Sequence, residues 1–213
     1  MKEPRKKDPG TETENEGSAS TVPSTLEEIK DNISTNNSSQ LSKVEIINQA
    51  FKFHSEGNML EAAKYYQYFI NQGFKDQTVF SNYGVVLKGL GKLKEAELSQ
   101  RKAIEINPNF AEAYSNLGSI LRDLGKLQEA ELANRKAIEI KPDIAEAHLN
   151  LGSILRDLGK LQEAEVSTRK AIEIKPDFAD AHSNLGIILN DIGKSKEAEI
   201  YARKAIEINP NFA

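Results

Sequence analysis

Residues 116–131 read NLGSILRDLGKLQEAE, and residues 150–165 read NLGSILRDLGKLQEAE again, letter for letter, thirty-four positions on. Working outward, the chain falls into gapless units of that length at 77–110, 111–144, 145–178 and 179–212. A catalytic site is assembled once from residues that differ, so a unit copied four times points to a repeated surface. Each unit carries two apolar stripes at helical spacing. In 111–144 these are Ala113, Leu117, Leu121 and Leu124, then Leu127, Ala130, Ala137 and Ile138, on either side of Gly125. Pro108, Pro142, Pro176 and Pro210 end the second helices, because proline cannot donate to a helix and clashes with the turn before it. Asn109, Asp143 and Asp177 are then expected as N-caps, with Glu112 and Glu146 completing capping boxes. The pairs Glu97–Arg101, Glu131–Arg135, Glu165–Arg169 and Glu199–Arg203 sit four residues apart and read as solvated helix faces.

Upstream, 43–76 fits the same frame loosely, with Ala50 in the place of a glycine, Gly57 at the turn, Ala62 at the small contact and Phe74 where a proline is expected. Terminal units of a stacked array are commonly atypical. The aromatic residues here, including Phe51, Phe53, Tyr65, Tyr66, Tyr68 and Phe69, read as core rather than as a ligand pocket. Residues 1–42 contain TETENEGSAS and STNNSSQ and almost no large apolar side chain, so burial cannot offset the entropy of ordering them. They are expected to form a disordered tail, with one short amphipathic turn at Leu26, Ile29 and Ile33.

Composition narrows the function. A net charge of −4 argues against a nucleic-acid partner, which needs a Lys/Arg excess. Without cysteine there is no disulfide framework and no thiolate zinc site, which fits a reducing compartment. No apolar run reaches the roughly 20 residues of a membrane helix, and MKEPRKKDPG is not followed by the apolar stretch of a secretory signal. The expected location is cytoplasmic, with no membrane partner. No phosphate-binding glycine loop, nucleophile elbow or H-E-x-x-H string occurs. His148 and His182 stand one period apart, where Phe80 and Tyr114 stand in earlier units, and so read as packing rings rather than metal ligands. No catalytic residue, metal or cofactor is expected.

The 34-residue helix–turn–helix unit, with its Leu-Gly pairs at 117–118, 151–152 and 185–186, its alanines at 130, 164 and 198 and at 137, 171 and 205, and its closing proline, resembles the tetratricopeptide repeat over 77–212. The resemblance implies an all-α, right-handed α-solenoid of stacked antiparallel helix pairs spanning 43–213. Gly84, Gly118, Gly152 and Gly186 are expected where the two helices of a unit approach most closely, facing Ala96, Ala130, Ala164 and Ala198. One departure stands out: where such second helices usually carry a large apolar residue, this chain has Gln100, Asn134, Thr168 and Ala202. These imply either a wetter surface or a poorer contact between units.

The resemblance also implies that first helices line a concave groove. On that side the stripe Glu112, Asn116, Ser119 and Asp123 recurs, and its asparagines repeat without exception as Asn82, Asn116, Asn150 and Asn184. An amide offers donor and acceptor together, which suits gripping a peptide backbone. The ladder is similar to that of the repeat region in protein O-linked N-acetylglucosamine transferases. The asparagines read as free of any packing duty. Four such bonds at about 0.5–1.5 kcal/mol each are too few to bind alone. Their expected neighbours in the site are Ser119, Ser153, Arg122, Arg156, Asp123, Asp157 and Asp191, with Lys88. Counting Glu112, Glu146 and Asp180, acids outnumber bases, which predicts a mild preference for peptides carrying Lys or Arg.

The expected function is a non-catalytic protein-interaction scaffold for an extended peptide or protein segment. Two alternatives stand beside it. The chain stops on NPNFA at 209–213, the same letters as 107–111, leaving Ala205, Ile206 and Ile208 without a following unit. That suits the recognition arm of a larger glycosyltransferase, sulfotransferase or methyltransferase, or a module that self-associates through its uncapped last repeat.

Overall fold

The computed structural model describes residues 42–211 of the chain. The 1–42 tail, with its turn at Leu26, Ile29 and Ile33, lies outside them except for Ser42. That residue caps the first helix through a reciprocal capping box with Glu45. Among the described residues there are ten α-helices: α1 (Lys43–Ser55), α2 (Met59–Asn71), α3 (Gln77–Gly89), α4 (Leu93–Ile106), α5 (Ala111–Asp123), α6 (Leu127–Ile140), α7 (Ala145–Asp157), α8 (Leu161–Ile174), α9 (Ala179–Asp191) and α10 (Ser195–Ile208).

Within a pair, a three-residue connection turns the chain back on itself, and this requires backbone that few residues adopt. Gly125 takes φ +74°, and Lys126 N–H returns to Leu121 C=O at 2.8 Å, tying off the open carbonyls of α5. The remaining intra-pair turns carry a left-handed glycine at the same place. Consecutive helices pack side by side, giving an all-α solenoid. First helices α3, α5, α7 and α9 also touch one another in succession, whereas second helices hardly meet one another. The first helices therefore form the tight inner wall, and the second helices splay on the outer face.

The closest approach within a unit is at the glycines. A Cβ on Gly84 would lie 2.6 Å from Gln100 Nε2, and one on Gly118 or Gly152 would overlap Asn134 Nδ2 or Thr168 Oγ1. Gln100, Asn134 and Thr168 are completely buried. This corrects the expectation of a wet surface: the polar side chains fill the volume that glycine vacates on the facing helix. Their polar groups mostly turn to backbone, as where Gln100 Nε2 donates to Ser81 C=O at 2.8 Å and Thr168 Oγ1 to Ala164 C=O at 2.9 Å. Gln100 Oε1 and Asn134 Oδ1 remain buried without a partner.

The unit 43–76 is built on aromatic rings. Tyr66 and Phe69 are fully buried with Ile46, Ala50, Ala62 and Val79, and Phe53, Tyr65 and Phe74 close around them. These rings are core, whereas Phe51, expected among them, is exposed, and burial pushes the Tyr66 hydroxyl up to about 12.

Two local readings are overturned. Residues 110, 144 and 178 (Phe110, Ile144 and Phe178) occupy the N-cap positions of α5, α7 and α9, with no side-chain cap. The preceding turn places Asn109, Asp143 and Asp177 one residue outside the helix. Glu112 and Glu146 instead face the lysine that ends the same unit, Lys141 at 3.1 Å and Lys175 at 3.8 Å. Nor are Glu97, Glu131 and Glu165 solvated. Each is at most 15% exposed and accepts from an arginine of its own helix and from a lysine in the next turn, Lys126, Lys160 or Lys194. Only Glu199–Arg203 lies open to solvent as expected.

Candidate functional site

All the site residues read from the sequence come from first helices, so they share the inner wall. The structure shows that most of them reach across from one unit to the next. Asn116 Nδ2 donates to Ser81 Oγ of the preceding first helix at 3.2 Å, and Asn150 Nδ2 donates to Ser115 Oγ at 3.2 Å. The asparagines thus have a packing duty after all. The rule needs a serine thirty-five residues upstream, and the two ends of the ladder lack one. Position 47 is Ile47, and Asn82 lies instead against the Tyr66 hydroxyl. Position 149 is Leu149, so Asn184 is buried and its Nδ2 turns to Thr168 Oγ1 at 3.4 Å.

A second ladder runs beside the first. Lys88 bonds Ser119 Oγ at 2.6 Å and Asp123 at 3.2 Å, Arg122 bonds Asp157 at 2.6 Å, and Arg156 bonds Asp191 at 3.1 Å. A base in one unit pairs the acid thirty-five residues on. The series closes on itself, because Gly89 stands where an earlier acid would be and Asn190 where a further base would be. The acid excess counted from the sequence is therefore largely neutralised. Of the acids at the helix starts, Glu112 and Glu146 face lysines, and Asp180 has no ion pair among the described residues. Ser153 donates to Leu149 C=O of its own helix at 3.1 Å.

What remains available is a polar strip. An asparagine that has given one N–H to a serine keeps a second N–H and its carbonyl oxygen. Asn116 and Asn150 are half-buried, so these groups are held in place by the neighbouring unit while still reaching the surface. The signal for both ladders was present in the sequence as a thirty-five-residue offset, one more than the period, linking Ser81 to Asn116 and Arg122 to Asp157. His148 and His182 do not join this wall. Each ring bonds the carbonyl of the proline six residues before it, Pro142 at 2.9 Å and Pro176 at 2.8 Å. Among the described residues no three His, Asp or Glu side chains are grouped to hold a metal ion, and no helix is long and apolar enough to cross a membrane.

Comparison with known proteins matches this architecture. Profiles of the tetratricopeptide repeat match residues 78–110, 111–144, 133–166 and 179–212, and a TPR repeat profile matches 152–193. Together they tile the chain from 78 to 212. No curated protein sequence matches. Among solved structures, the thermophilic TPR protein TTC0263 of Thermus thermophilus superposes with a TM-score of 0.70 at 19% identity, covering 80% of this chain and 93% of that one. The MamA protein gives 0.64 at 25% identity over 79% and 92%. YrrB, described as a TPR protein with an unusual peptide-binding site, gives 0.60 at 24% identity over 88% and 95%. With its repeats tiled by these profiles and its helix pairs stacked in the same way, the chain belongs to the tetratricopeptide repeat family.

Proposed function

We propose that this protein-interaction scaffold binds an extended polypeptide segment along the inner wall and carries out no catalysis itself. The observation that carries the reading is the interlocked ladder. Ser81 and Ser115 orient Asn116 and Asn150 while leaving each amide a donor and an acceptor for a peptide backbone. Fixing the amides beforehand lowers the ordering cost of binding, which matters because a few hydrogen bonds barely exceed the entropy of association. With the charged ladder closed on itself, the leaning toward basic peptides narrows to the end of the groove at Asp180. Selectivity elsewhere rests on how well a segment pairs its backbone with the amides.

Fluorescence anisotropy with labelled extended peptides tests this. Wild-type protein should bind a subset, and Asn116→Ala with Asn150→Ala should weaken those peptides about tenfold or more, as expected for losing two hydrogen bonds. Unchanged affinity in the double variant, with the fold intact, would place binding elsewhere.

A further inference from the structure

The outer face carries a second series of grooves, each lying between successive second helices and floored by the first helix between them. The three regular grooves are lined by residues in strict register, yet they are not equally filled.

In the groove between α8 and α10, the molecule supplies its own occupant, and the space left beside it is about 370 Å³. Tyr201 stacks on His182, with ring centroids 5.8 Å apart and planes 27° from parallel. Arg169 Nη1 donates to the Tyr201 hydroxyl at 2.8 Å, and the guanidinium lies 5.4 Å from the ring centre. Tyr201 packs against the cluster of Leu185, Leu189 and Ala198, as Ile172 does. The groove between α6 and α8 repeats these partners one period earlier: His148 for His182, Arg135 for Arg169, and Ile138, Leu151 and Leu155 for the apolar floor. His148 is held by Pro142 as His182 is by Pro176. Arg135 is held by Glu131 and Glu163, as Arg169 is by Glu165 and Glu197. The difference is the residue in register with Tyr201, which is Ser167. The groove there stands open at about 870 Å³. Among the described residues, Arg135 Nη1, the counterpart of the atom that reaches Tyr201, has no acceptor. In the groove between α4 and α6, Tyr114 takes the place of the imidazole and the space shrinks to about 260 Å³.

We infer that the α6/α8 groove is a receptor for a tyrosine side chain of a partner polypeptide. The ring stacks on His148 over Leu151 and Leu155, and the hydroxyl accepts from Arg135. The occupied neighbour is the template. The tyrosine belongs to a different protein rather than a second copy, because all six tyrosines of this chain, at 65, 66, 68, 83, 114 and 201, are buried or half-buried in its own structure. The site lies on the opposite face from the asparagine ladder and is independent of the reading of that wall.

The test is a titration of the whole isotope-labelled chain with N-acetyltyrosinamide, followed by amide NMR shifts and repeated with N-acetylphenylalaninamide. Saturable shifts are expected around Arg135, His148 and Ser167, with the phenylalanine probe about twofold to tenfold weaker for want of one hydrogen bond. Ser167→Tyr places in this groove the residue found in its neighbour, and should abolish the shifts. Arg135→Met keeps the exposed helix face and the floor, and should erase the difference between the probes. Absence of saturable shifts at millimolar probe, shifts that persist in Ser167→Tyr, or equal binding of the two probes to wild type overturns the proposal.

Discussion

The two faces of this solenoid are made from one repeated unit and behave differently. On the inner wall, the polar side chains of one unit are largely held by the unit before it: Asn150 by Ser115, Asp157 by Arg122, Ser119 by Lys88. On the outer face, the second helices splay, and the space between them is taken up differently at each step: by Tyr114 between α4 and α6, by Tyr201 between α8 and α10, and by neither ring between α6 and α8. Inner positions are constrained in pairs, each needing a partner thirty-five residues away, so they repeat together. The residue that faces each outer groove, Ala133, Ser167 or Tyr201, is under no such repeated pairing and differs from unit to unit. A repeat protein of this kind can therefore keep a uniform wall while carrying a distinct groove at each outer step.

Underneath both faces lies the contact that fixes the distance between them, and breaking it gives the largest expected effect. Gly118→Ala would drive a Cβ into the buried amide of Asn134, and overpacking of this kind costs about 1–3 kcal/mol. Adding Asn134→Ala removes the obstruction together with the unpaired Oδ1, and should recover most of that loss. The fourth unit already has Ala202 facing Gly186, where the nearest atoms to an added Cβ are 3.2 Å and 3.4 Å away. Gly186→Ala should cost clearly less than Gly118→Ala, since only a small shift of the facing backbone is needed and alanine is the better helix former. Urea unfolding of the four proteins checks this, and equal costs at Gly118 and Gly186 would show that the facing side chain is not the cause.

This contact also marks how far the sequence could be read. The period, the helix pairs and the glycine approach follow from Leu117-Gly118, its copies and the closing prolines, because backbone sterics and helical periodicity act locally. The role of Asn134 does not follow, since a polar residue at a packing position reads as exposed until the glycine opposite is known to vacate its volume. The same holds for the caps. Asp143 suits a cap by composition, but the turn through Pro142 sets the cap position one residue later, at Ile144. The asparagine ladder was legible as a repeat, whereas its bonds to Ser81 and Ser115 depend on which helices touch. The outer groove was hidden because its partners are spread over three helices, and the decisive change, Ser167 for Tyr201, looks like ordinary drift.

The outer face has its own ties between units, and acid should loosen them. Lys160 and then Arg135 hold the Glu131 carboxyl below its ordinary value of 4.5, and Lys126 and Lys194 do the same for Glu97 and Glu165. A carboxyl whose pKa is lowered by folding adds stability that is complete above about pH 4.5 and is lost as the pH falls through its folded value. Because the basic partners are largely exposed, the three together should be worth about 1–2 kcal/mol after screening. Urea midpoints at pH 6 and pH 3 should differ less in Glu131→Gln than in wild type. An identical pH response would mean that these brackets do not link the units.

The smallest effect is the most direct test of the inner wall. Asn184 lacks its serine because Leu149 interrupts the series, and it makes only a long bond to Thr168. Leu149→Ser would extend the ladder by one step, gaining a hydrogen bond of about 0.5–1.5 kcal/mol while giving up a half-buried leucine, so the two terms should nearly cancel. The reverse change is not symmetric. Ser115→Leu removes the acceptor of a half-buried amide and forces a large side chain into a position that is only 4% exposed, and it should cost at least about 1 kcal/mol. Hydrogen exchange of the asparagine side-chain amides separates the contributions. Exchange at Asn184 should slow in Leu149→Ser, and exchange at Asn150 should quicken in Ser115→Leu. If neither changes, the serines do not hold the amides in place, and the inner wall is a row of separate polar groups rather than one connected surface.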